Sequence, residues 1–184
     1  NNVEITNSKI NVKGSTPAVH KVGGLLGVNV YKVSDSKVTG LTITSTNRKQ
    51  SIIGGLIGSN GGVTFPAIYG AHVDNCYAEV NITSDLKNIT TSQTDFEMLQ
   101  YIGGFVGETR VSISDSLAVS VLKVDSSKYS SSNPKTYTNS VGGFAGRVIN
   151  GAKIDAVASV STITFTSADC YKANIGTLVG ESYD

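Results

Sequence analysis

The residues that most often carry chemistry are few and scattered in this chain of 184 residues. His20 and His72 are its two histidines, and isolated histidines are more often structural than metal ligands. Arg48, Arg110 and Arg147 could line up, but no acidic cluster accompanies them, as a polysaccharide-cleaving groove would require. HExxH, GxSxG and P-loop motifs are absent. The sequence therefore predicts no enzyme, no catalytic residue, no metal site and no cofactor.

Ligand recognition is the second kind of chemistry that the sequence suggests. Three excursions, residues 59–72, 85–101 and 125–140, interrupt a repeating pattern. Loops on a rigid scaffold commonly carry binding residues, and the third excursion is the most polar. Its amphipathic rings and amines suit a glycan or a peptide. These candidates are Lys128, Tyr129, Lys135 and Tyr137. The alternative is a solvated segment, rich in Ser and Pro, that binds nothing.

A polar motif returns along the chain as ITNSKI, VSDSKV, VDNCYA, ISDSLA and KIDAVA. One position of the motif holds Asn7, Asp35, Asn75, Asp115 and finally Ala156. If the copies stack, these side chains form a hydrogen-bonded ladder in which Asn75 separates two carboxylates that would otherwise repel each other. The alternative is a calcium column, which has too few oxygens on neighbouring copies. We therefore predict a structural turn ladder.

The two cysteines are predicted to be free thiols. Cys76 shares its motif position with Ser8, Ser36 and Ser116, and it lies two copies away from Cys170. Two steps between stacked strands span about 10 Å, whereas a disulfide needs Cα atoms within about 7 Å.

A second motif, together with the segments between its copies, predicts the strands that position these residues. It reads VGGLLG, IGGLIG, IGGFVG, VGGFAG and IGTLVG, and it alternates strictly with the polar motif. The intervals are filled by β-branched, alternating segments such as residues 37–46, which predict strands, about three to a unit. Helical spacing is weak and confined to residues 95–100.

The repeat length selects among all-β folds. Ile5 and Val33, which open the first two copies of the polar motif, are only 28 residues apart. That is too short for a four-stranded propeller blade of about 40 residues. We predict an all-β fold, a right-handed parallel β-solenoid of about five coils with loop excursions. Residues 1–184 would form a single domain that is a fragment of a longer repeat protein.

In a solenoid, like positions of successive coils lie over one another, so the motif glycines are predicted to form columns. Glycine there permits a positive φ or a close backbone approach where the chain bends. The first column is Gly23, Gly54, Gly103, Gly142 and Gly176, and the last is Gly27, Gly58, Gly107, Gly146 and Gly180. Thr177 replaces the middle glycine in the fifth copy, so that glycine is dispensable or the last coil is irregular.

Two neighbouring positions of the motif, represented by Leu25 and Leu26, are apolar in nearly every copy. Simple alternation would turn one of them outward. Either the glycine pair makes a corner that buries both, or an apolar stripe lies outside under a loop or a partner. The doubled glycine favours the corner.

Charge and hydropathy exclude some partners. The net charge is +1 with scattered Lys and Arg, which argues against nucleic acid. No apolar run approaches the roughly 18 residues that cross a bilayer, so we expect no membrane insertion in this segment.

The pattern [VI]GG[LF]xG followed by a strand with N/D-S resembles the GLUG repeats of large bacterial surface and adhesin-like proteins. It is also similar to the non-catalytic N-terminal region of IgA-cleaving zinc metallopeptidases. The likeness covers residues 5–180 and rests on structural positions. It implies an extracellular or cell-surface location and a role as an adhesin or a structural stalk or fibre segment.

The partners expected on this basis are a host glycan or protein, and neighbouring repeats or self-assembly through open solenoid ends. The alternative function is a carbohydrate-active or ice-binding β-solenoid. Ice binding requires an unbroken TxT array, and residues 121–125, which read VLKVD, interrupt it.

Overall fold

The chain folds entirely as β-strands in its described part. A computed structural model describes residues 2–14, 19–46, 50–61, 72–85, 90–91, 98–126, 130–131, 137–167 and 172–183, and contains no helix there. The strands are β1 Glu4–Thr6, β2 Lys9–Lys13, β3 Val19–Gly23, β4 Leu26–Asn29, β5 Val33–Ser34, β6 Lys37–Thr46, β7 Gln50–Gly54, β8 Ile57–Asn60, β9 Val73–Asp74, β10 Tyr77–Asp85, β11 Thr90–Thr91, β12 Met98–Gly103, β13 Val106–Thr109, β14 Ile113–Ser114, β15 Leu117–Ser126, β16 Ser130–Ser131, β17 Tyr137–Gly142, β18 Ala145–Val148, β19 Ile154–Asp155, β20 Ala158–Ser167, β21 Lys172–Gly176 and β22 Val179–Ser182.

The strands form four larger parallel sheets, which we name A to D. Sheet A has the order β1-β6-β10-β15-β20, with β2 also paired to β6, and sheet B has the order β3-β7-β12-β17-β21. Sheet C is β4-β8-β13-β18-β22, and sheet D is β5-β9-β14-β19. Successive repeats, residues 4–29, 33–60, 73–109, 113–148 and 154–182, each add strands to sheets A, B and C, and all but the first add one to sheet D. Parallel strands in stacked sheets are consistent with a β-solenoid.

Two local predictions fail. Residues 98–100 belong to β12, which pairs with β7 and β17, and are not helical; residues 95–97 lie outside the described residues. A complete repeat also has four main strands where three were predicted, because the glycine motif is split between sheets B and C.

The glycine motif forms a corner. Gly54 ends β7 and Ile57 begins β8, while Leu56 and Ile57 both have no exposed surface. The prediction of a corner that buries both apolar positions is confirmed in the inner repeats, and the exposed stripe is wrong there. The first glycines stack as predicted, Gly23 on Gly54 and onward to Gly176. Close approach is the reason for them, since a Cβ on Gly54 would overlap the carbonyl oxygen of Ile57.

The last glycine of the motif allows sheets B and C to lie against each other. A Cβ on Gly58 would come within 2.6 Å of the backbone nitrogen of Val22 in sheet B. The outer face of sheet B therefore meets sheet C, and Ile52 and Tyr101 are buried between the two sheets without joining the main apolar cluster.

The main core lies between sheet A and the corners. Burial alternates strictly along β10, as a strand with one buried face requires. Ile43, Ile82 and Leu122 of sheet A have almost no exposed surface. Opposite them, Phe105 and Phe144 stack with ring centroids 4.6 Å apart and planes 8° apart.

The first repeat departs from the predicted register. Ile5 pairs with Val38 of β6, and the N–H of Asn7 donates to Thr39, so Asn7 does not lie on Asp35. The reason is a bulge in β6, where Gly40 has a φ of 62° and leaves space for the Asn7 side chain. Placing Asn7 in the Asp35 column was therefore wrong, although its φ of 49° matches that of the column.

Candidate functional site

The predicted ligand-binding residues fall largely outside the described part of the chain. Lys128, Tyr129 and Lys135 lie outside the described residues, while Tyr137 begins β17 and only its backbone is described. The structure does join the second and third excursions at one point within their described residues, because β11 pairs with β16 through Thr90 and Ser130. The loop prediction itself stays a prediction.

Part of the predicted turn ladder is present directly after the strands of sheet D, where a side-chain hydrogen bond joins Asn75 to Asp35. Asp35, Asn75 and Asp115 have φ values of 53°, 49° and 48°, the left-handed region that Asn and Asp tolerate best. Asn75 Nδ2 donates to Asp35 Oδ1 over 2.8 Å, and this hydrogen bond is the main cause of the lowered pKa of Asp35. Ala156 holds the same strained conformation at 49° without a polar side chain.

The carboxylates of this surface alternate between two adjacent columns. Registered pairing places Ser34, Asp74, Ser114 and Asp155 in one column, beside the turn residues of the other. Each repeat from the second to the fifth thus carries one carboxylate, at Asp35, Asp74, Asp115 and Asp155 in turn. Like charges never stack directly on each other, which avoids repulsion along the axis.

In the second, third and fourth repeats, the side chain after the turn binds the backbone of its own repeat. The Ser36 and Ser116 hydroxyls donate to the carbonyl oxygens of Ser34 and Ser114 at 2.9 and 2.7 Å. Cys76 Sγ makes the same bond to Asp74 at 3.1 Å, as its shared motif position predicts. Cys76 is a free, buried thiol, and burial raises its pKa. Cys170 lies outside the described residues.

A Ser, a His and an Asp meet on sheet D. Ser114 Oγ lies 3.1 Å from His72 Nε2 and donates to Asp74 Oδ1 over 2.8 Å. The hydroxyl thus gives its hydrogen to the carboxylate, and the Asp does not orient the imidazole as it does in a nucleophilic triad. We interpret the group as a surface hydrogen-bond cluster.

Charged side chains fill the layer between sheets B and C. Glu108, Arg147 and Glu181, which we call the interlayer column, stack in register on β13, β18 and β22. Arg147 Nη1 lies 3.6 Å from Glu108 Oε2, and Arg147 Nε lies 3.6 Å from Glu181 Oε2. The carboxylate side chains of the two glutamates are only 4% and 7% exposed. The column therefore alternates in charge along the stacking axis.

Two tyrosines enclose the guanidinium of Arg147. Arg147 Nη1 donates to the Tyr101 hydroxyl over 2.9 Å, and the guanidinium lies 4.8 Å from the Tyr101 ring and 5.0 Å from the Tyr183 ring. These are cation–π distances. Burial, against the opposing effect of Arg147, raises the pKa of Tyr101 to about 12, so this hydroxyl stays protonated.

Four donors saturate the Glu181 carboxylate. Ser140 donates to Oε2, while Lys172, Asn174 and Tyr183 donate to Oε1 at 2.9, 2.9 and 2.6 Å. Burial alone would raise the pKa of Glu181, but the hydrogen bonds from Tyr183, Lys172 and Ser140 lower it on balance. The hydrogen bond from Lys172 Nζ to Glu181 also raises the pKa of Lys172. Three of these donors belong to the same repeat as Glu181, and Ser140 joins it to the preceding repeat.

A buried amide ladder runs beside the interlayer column. Asn29 Nδ2 donates to Asn60 Oδ1 over 2.8 Å, and Asn60 Nδ2 donates to Thr109 Oγ1 over 3.1 Å. Thr109 in turn donates to the carbonyl oxygen of Val111. This ladder joins three successive repeats, and Asn60 has no exposed surface.

Replacing Asn60 by alanine should lower the free energy of unfolding by about 1–3 kcal/mol, because it leaves buried partners without their hydrogen bonds. Urea unfolding followed by circular dichroism measures the change. Asn81→Ala, on the exposed face of β10, is the matched control and should stay within about 0.5 kcal/mol of the wild type. Equal stability of the two variants would contradict the ladder.

The outer face of sheet A is the remaining candidate surface. A shallow groove of about 240 Å³ is lined by residues that include Glu79, Asn81, Val121, Val160 and Thr162. The register places Thr42, Asn81, Val121 and Thr162 in one column and Thr44, Thr83, Lys123 and Thr164 in the next. The regular threonine array required for ice is thus broken in the inner repeats.

The described residues contain no group of three or more His, Cys, Asp and Glu side chains that could hold a metal ion. Of the predicted arginines, Arg48 lies outside the described residues, and Arg110 and Arg147 both face Glu108, with Arg110 at 3.3 Å. No helix in the described part of the chain is long and apolar enough to cross a bilayer.

Comparison with known proteins does not assign this chain to a family. A scan against protein-family models and searches of curated proteins and of solved structures found no match to this chain.

The interlayer column and the amide ladder were not among the predictions from the sequence, although the sequence carries a signal for both. Glu108, Arg147 and Glu181 each directly follow the last glycine of their motif, and Asn29 and Asn60 come one residue later in their copies. Aligning the residues after the glycine motif, as well as those within it, would have revealed both columns.

Proposed function

We propose that the chain is a non-catalytic repeat domain that acts as a stalk or adhesin segment at the cell surface. The observation that carries this proposal is that charged side chains between sheets B and C form contacts that join neighbouring repeats. Glu181 binds Ser140 of the preceding repeat, and Arg147 binds Tyr101 of the one before its own. Such use of buried charge suits a rigid scaffold. The resemblance to GLUG repeats supports the surface location.

For the architecture we propose a right-handed β-solenoid of five coils, one for each repeat. The order of the sheets along the chain, with every pairing parallel, supports coiling. Right-handed connection is the general rule for parallel strands.

For recognition we propose a host glycan or protein that binds the third excursion through Lys128, Tyr129, Lys135 and Tyr137. The pairing of β11 with β16 supports a shared surface, because it brings the second and third excursions together at one edge. A rigid stack that presents paired loops is a common arrangement for binding.

A glycan array, followed by titration calorimetry on any hit, tests this function. The wild type should bind a defined glycan, and a variant with all four excursion residues changed to alanine should lose that binding. Thr83→Ala, on the exposed face of β10, is the control and should bind like the wild type. Absence of any glycan or host-protein ligand would contradict the adhesin role and leave the stalk role alone.

A further inference from the structure

The middle residue of the corner is glycine in every repeat but the last. Gly24, Gly55, Gly104 and Gly143 hold this position in the first four repeats, and Thr177 holds it in the fifth. Thr177 is exposed. The exception has a geometric explanation, because the reason for glycine at this position lies in the neighbouring repeat.

A side chain at the middle position would collide with the following repeat. A Cβ on Gly55 would overlap the carbonyl oxygen of Gly104, and a Cβ on Gly143 would overlap that of Thr177. The same Cβ on Gly55 would also collide with β10, the long strand of the following repeat, because it would lie 2.8 Å from Val80 Cγ1. Glycine is therefore required wherever another repeat stacks on the corner.

The first glycine of the corner behaves differently. A Cβ on Gly142 would overlap the carbonyl oxygen of Ala145, and a Cβ on Gly176 would overlap that of Val179. Both collisions are within one repeat, so this glycine is needed whether or not a further repeat follows. The fifth repeat keeps Gly176 and changes only the position that points toward a successor.

We propose that Thr177 is a stop residue that closes this end of the stack. Its Cβ lies where a following corner would place a carbonyl oxygen, so the face formed by β20, β21 and β22 rejects another glycine-motif repeat in register. A second copy of this chain, docking its first repeat there, is rejected in the same way, so this proposal replaces the self-assembly through open ends that the sequence led us to expect. This inference rests on the stacked-coil architecture of the proposed function and is independent of the adhesin role.

Apart from Thr177, the two end faces are complementary. Continuing the observed register from one copy to the next would set Leu178 on Leu25 and Val179 on Leu26. Leu178 is 39% exposed and Leu25 is only half-buried. Both faces therefore offer apolar area that a second copy would bury.

The residue columns between sheets B and C would also continue from one copy to the next. Lys21 belongs to the same column as Tyr101 and Asn174, in the layer between sheets B and C. Docked head to tail, Lys21 of one copy would lie over Asn174 of the other. The occupant that Thr177 excludes is thus a second copy of this chain.

Sedimentation velocity over a range of protein concentrations tests the proposal with two substitutions at one position. Thr177→Gly removes the Cβ and should produce head-to-tail association, with a weight-average mass of about twice the monomer or more. Thr177→Ala keeps the Cβ and should sediment like the wild type. Equal behaviour of the two variants, or head-to-tail assembly of the wild type, would overturn the proposal.

Two further variants separate the stop from the architecture. Gly143→Ala places the same Cβ inside the stack and should lower Tm, whereas Thr177→Ala should leave it unchanged. If Gly143→Ala has no effect, the stacked arrangement is wrong. If it destabilises while Thr177→Gly stays monomeric, only the stop is wrong. Leu25→Asp added to Thr177→Gly should abolish association, because it places a charge in the apolar contact.

Discussion

Replacing Phe144 by alanine is expected to lower the free energy of unfolding by about 3–5 kcal/mol. Phe144 has no exposed surface and stacks on Phe105 of the preceding repeat with 4.6 Å between ring centroids. Removing the ring therefore forfeits apolar burial and one face of the stack and leaves a cavity at the corner. Chemical unfolding monitored by circular dichroism measures the loss.

The same column supplies the control for this experiment. Leu178 occupies the corresponding position in the fifth repeat and is 39% exposed. Leu178→Ala should cost less than about 1.5 kcal/mol, since much of that side chain already meets solvent. A Phe144→Ala cost no larger than that of Leu178→Ala would mean that the corners are not the centre of the core.

The sequence was most informative where a position must satisfy the same constraint in every repeat. The stacking of Gly54 on Gly103, and the corner that buries Leu56 together with Ile57, could be predicted because bulkier or more polar residues cannot occupy those positions. Such steric requirements leave an unambiguous pattern of residue types. The strict alternation of the two motifs along the chain then predicts the order of the strands.

The first repeat could not be placed by motif alone. ITNSKI has the same form as VSDSKV, and Asn7 has the same backbone conformation as Asp35, yet Ile5 pairs with Val38. The register depends on the bulge at Gly40, two residues beyond the second copy of the motif. A motif defines a local turn, but the partner strand decides what that turn lies on.

The interlayer column required three-dimensional information of another kind. In a lone strand, Glu108 would be expected to face solvent, as charged residues usually do. It is buried because the last glycine of the motif lets sheet C lie against sheet B, and because Arg147 and Arg110 lie within 3.3 to 3.6 Å of its carboxylate. The polarity of the sequence alone predicts neither the packing of sheet C against sheet B nor the positions of the two arginines.

Replacing Arg147 by methionine should lower the free energy of unfolding by about 3 kcal/mol or more. Methionine keeps an apolar stem of similar length, so part of the packing is retained when the charge is removed. The substitution removes the hydrogen bond to Tyr101 and both ion pairs of the interlayer column. Glu108 and Glu181 then lose the cation between them, and each keeps a cation on its other side, Arg110 and Lys172 respectively.

An exposed ion pair supplies the comparison. Lys37 Nζ lies 3.4 Å from Glu4 Oε1, and both side chains are at least half exposed. Lys37→Met should change the free energy of unfolding by no more than about 1 kcal/mol, because solvent screens the pair. If Arg147→Met costs no more than this control, the interlayer column contributes nothing particular to stability.

The double variant Arg147→Met with Glu181→Gln tests whether lost charge or lost packing causes the defect. If charge is the cause, neutralising Glu181 relieves the repulsion from Glu108, so the double variant should be more stable than Arg147→Met alone. If packing is the cause, the glutamine instead weakens the bonds from Lys172, Asn174 and Tyr183, and the two losses should add. Recovery would show that the alternating charges hold successive repeats in register, and simple addition would contradict that role.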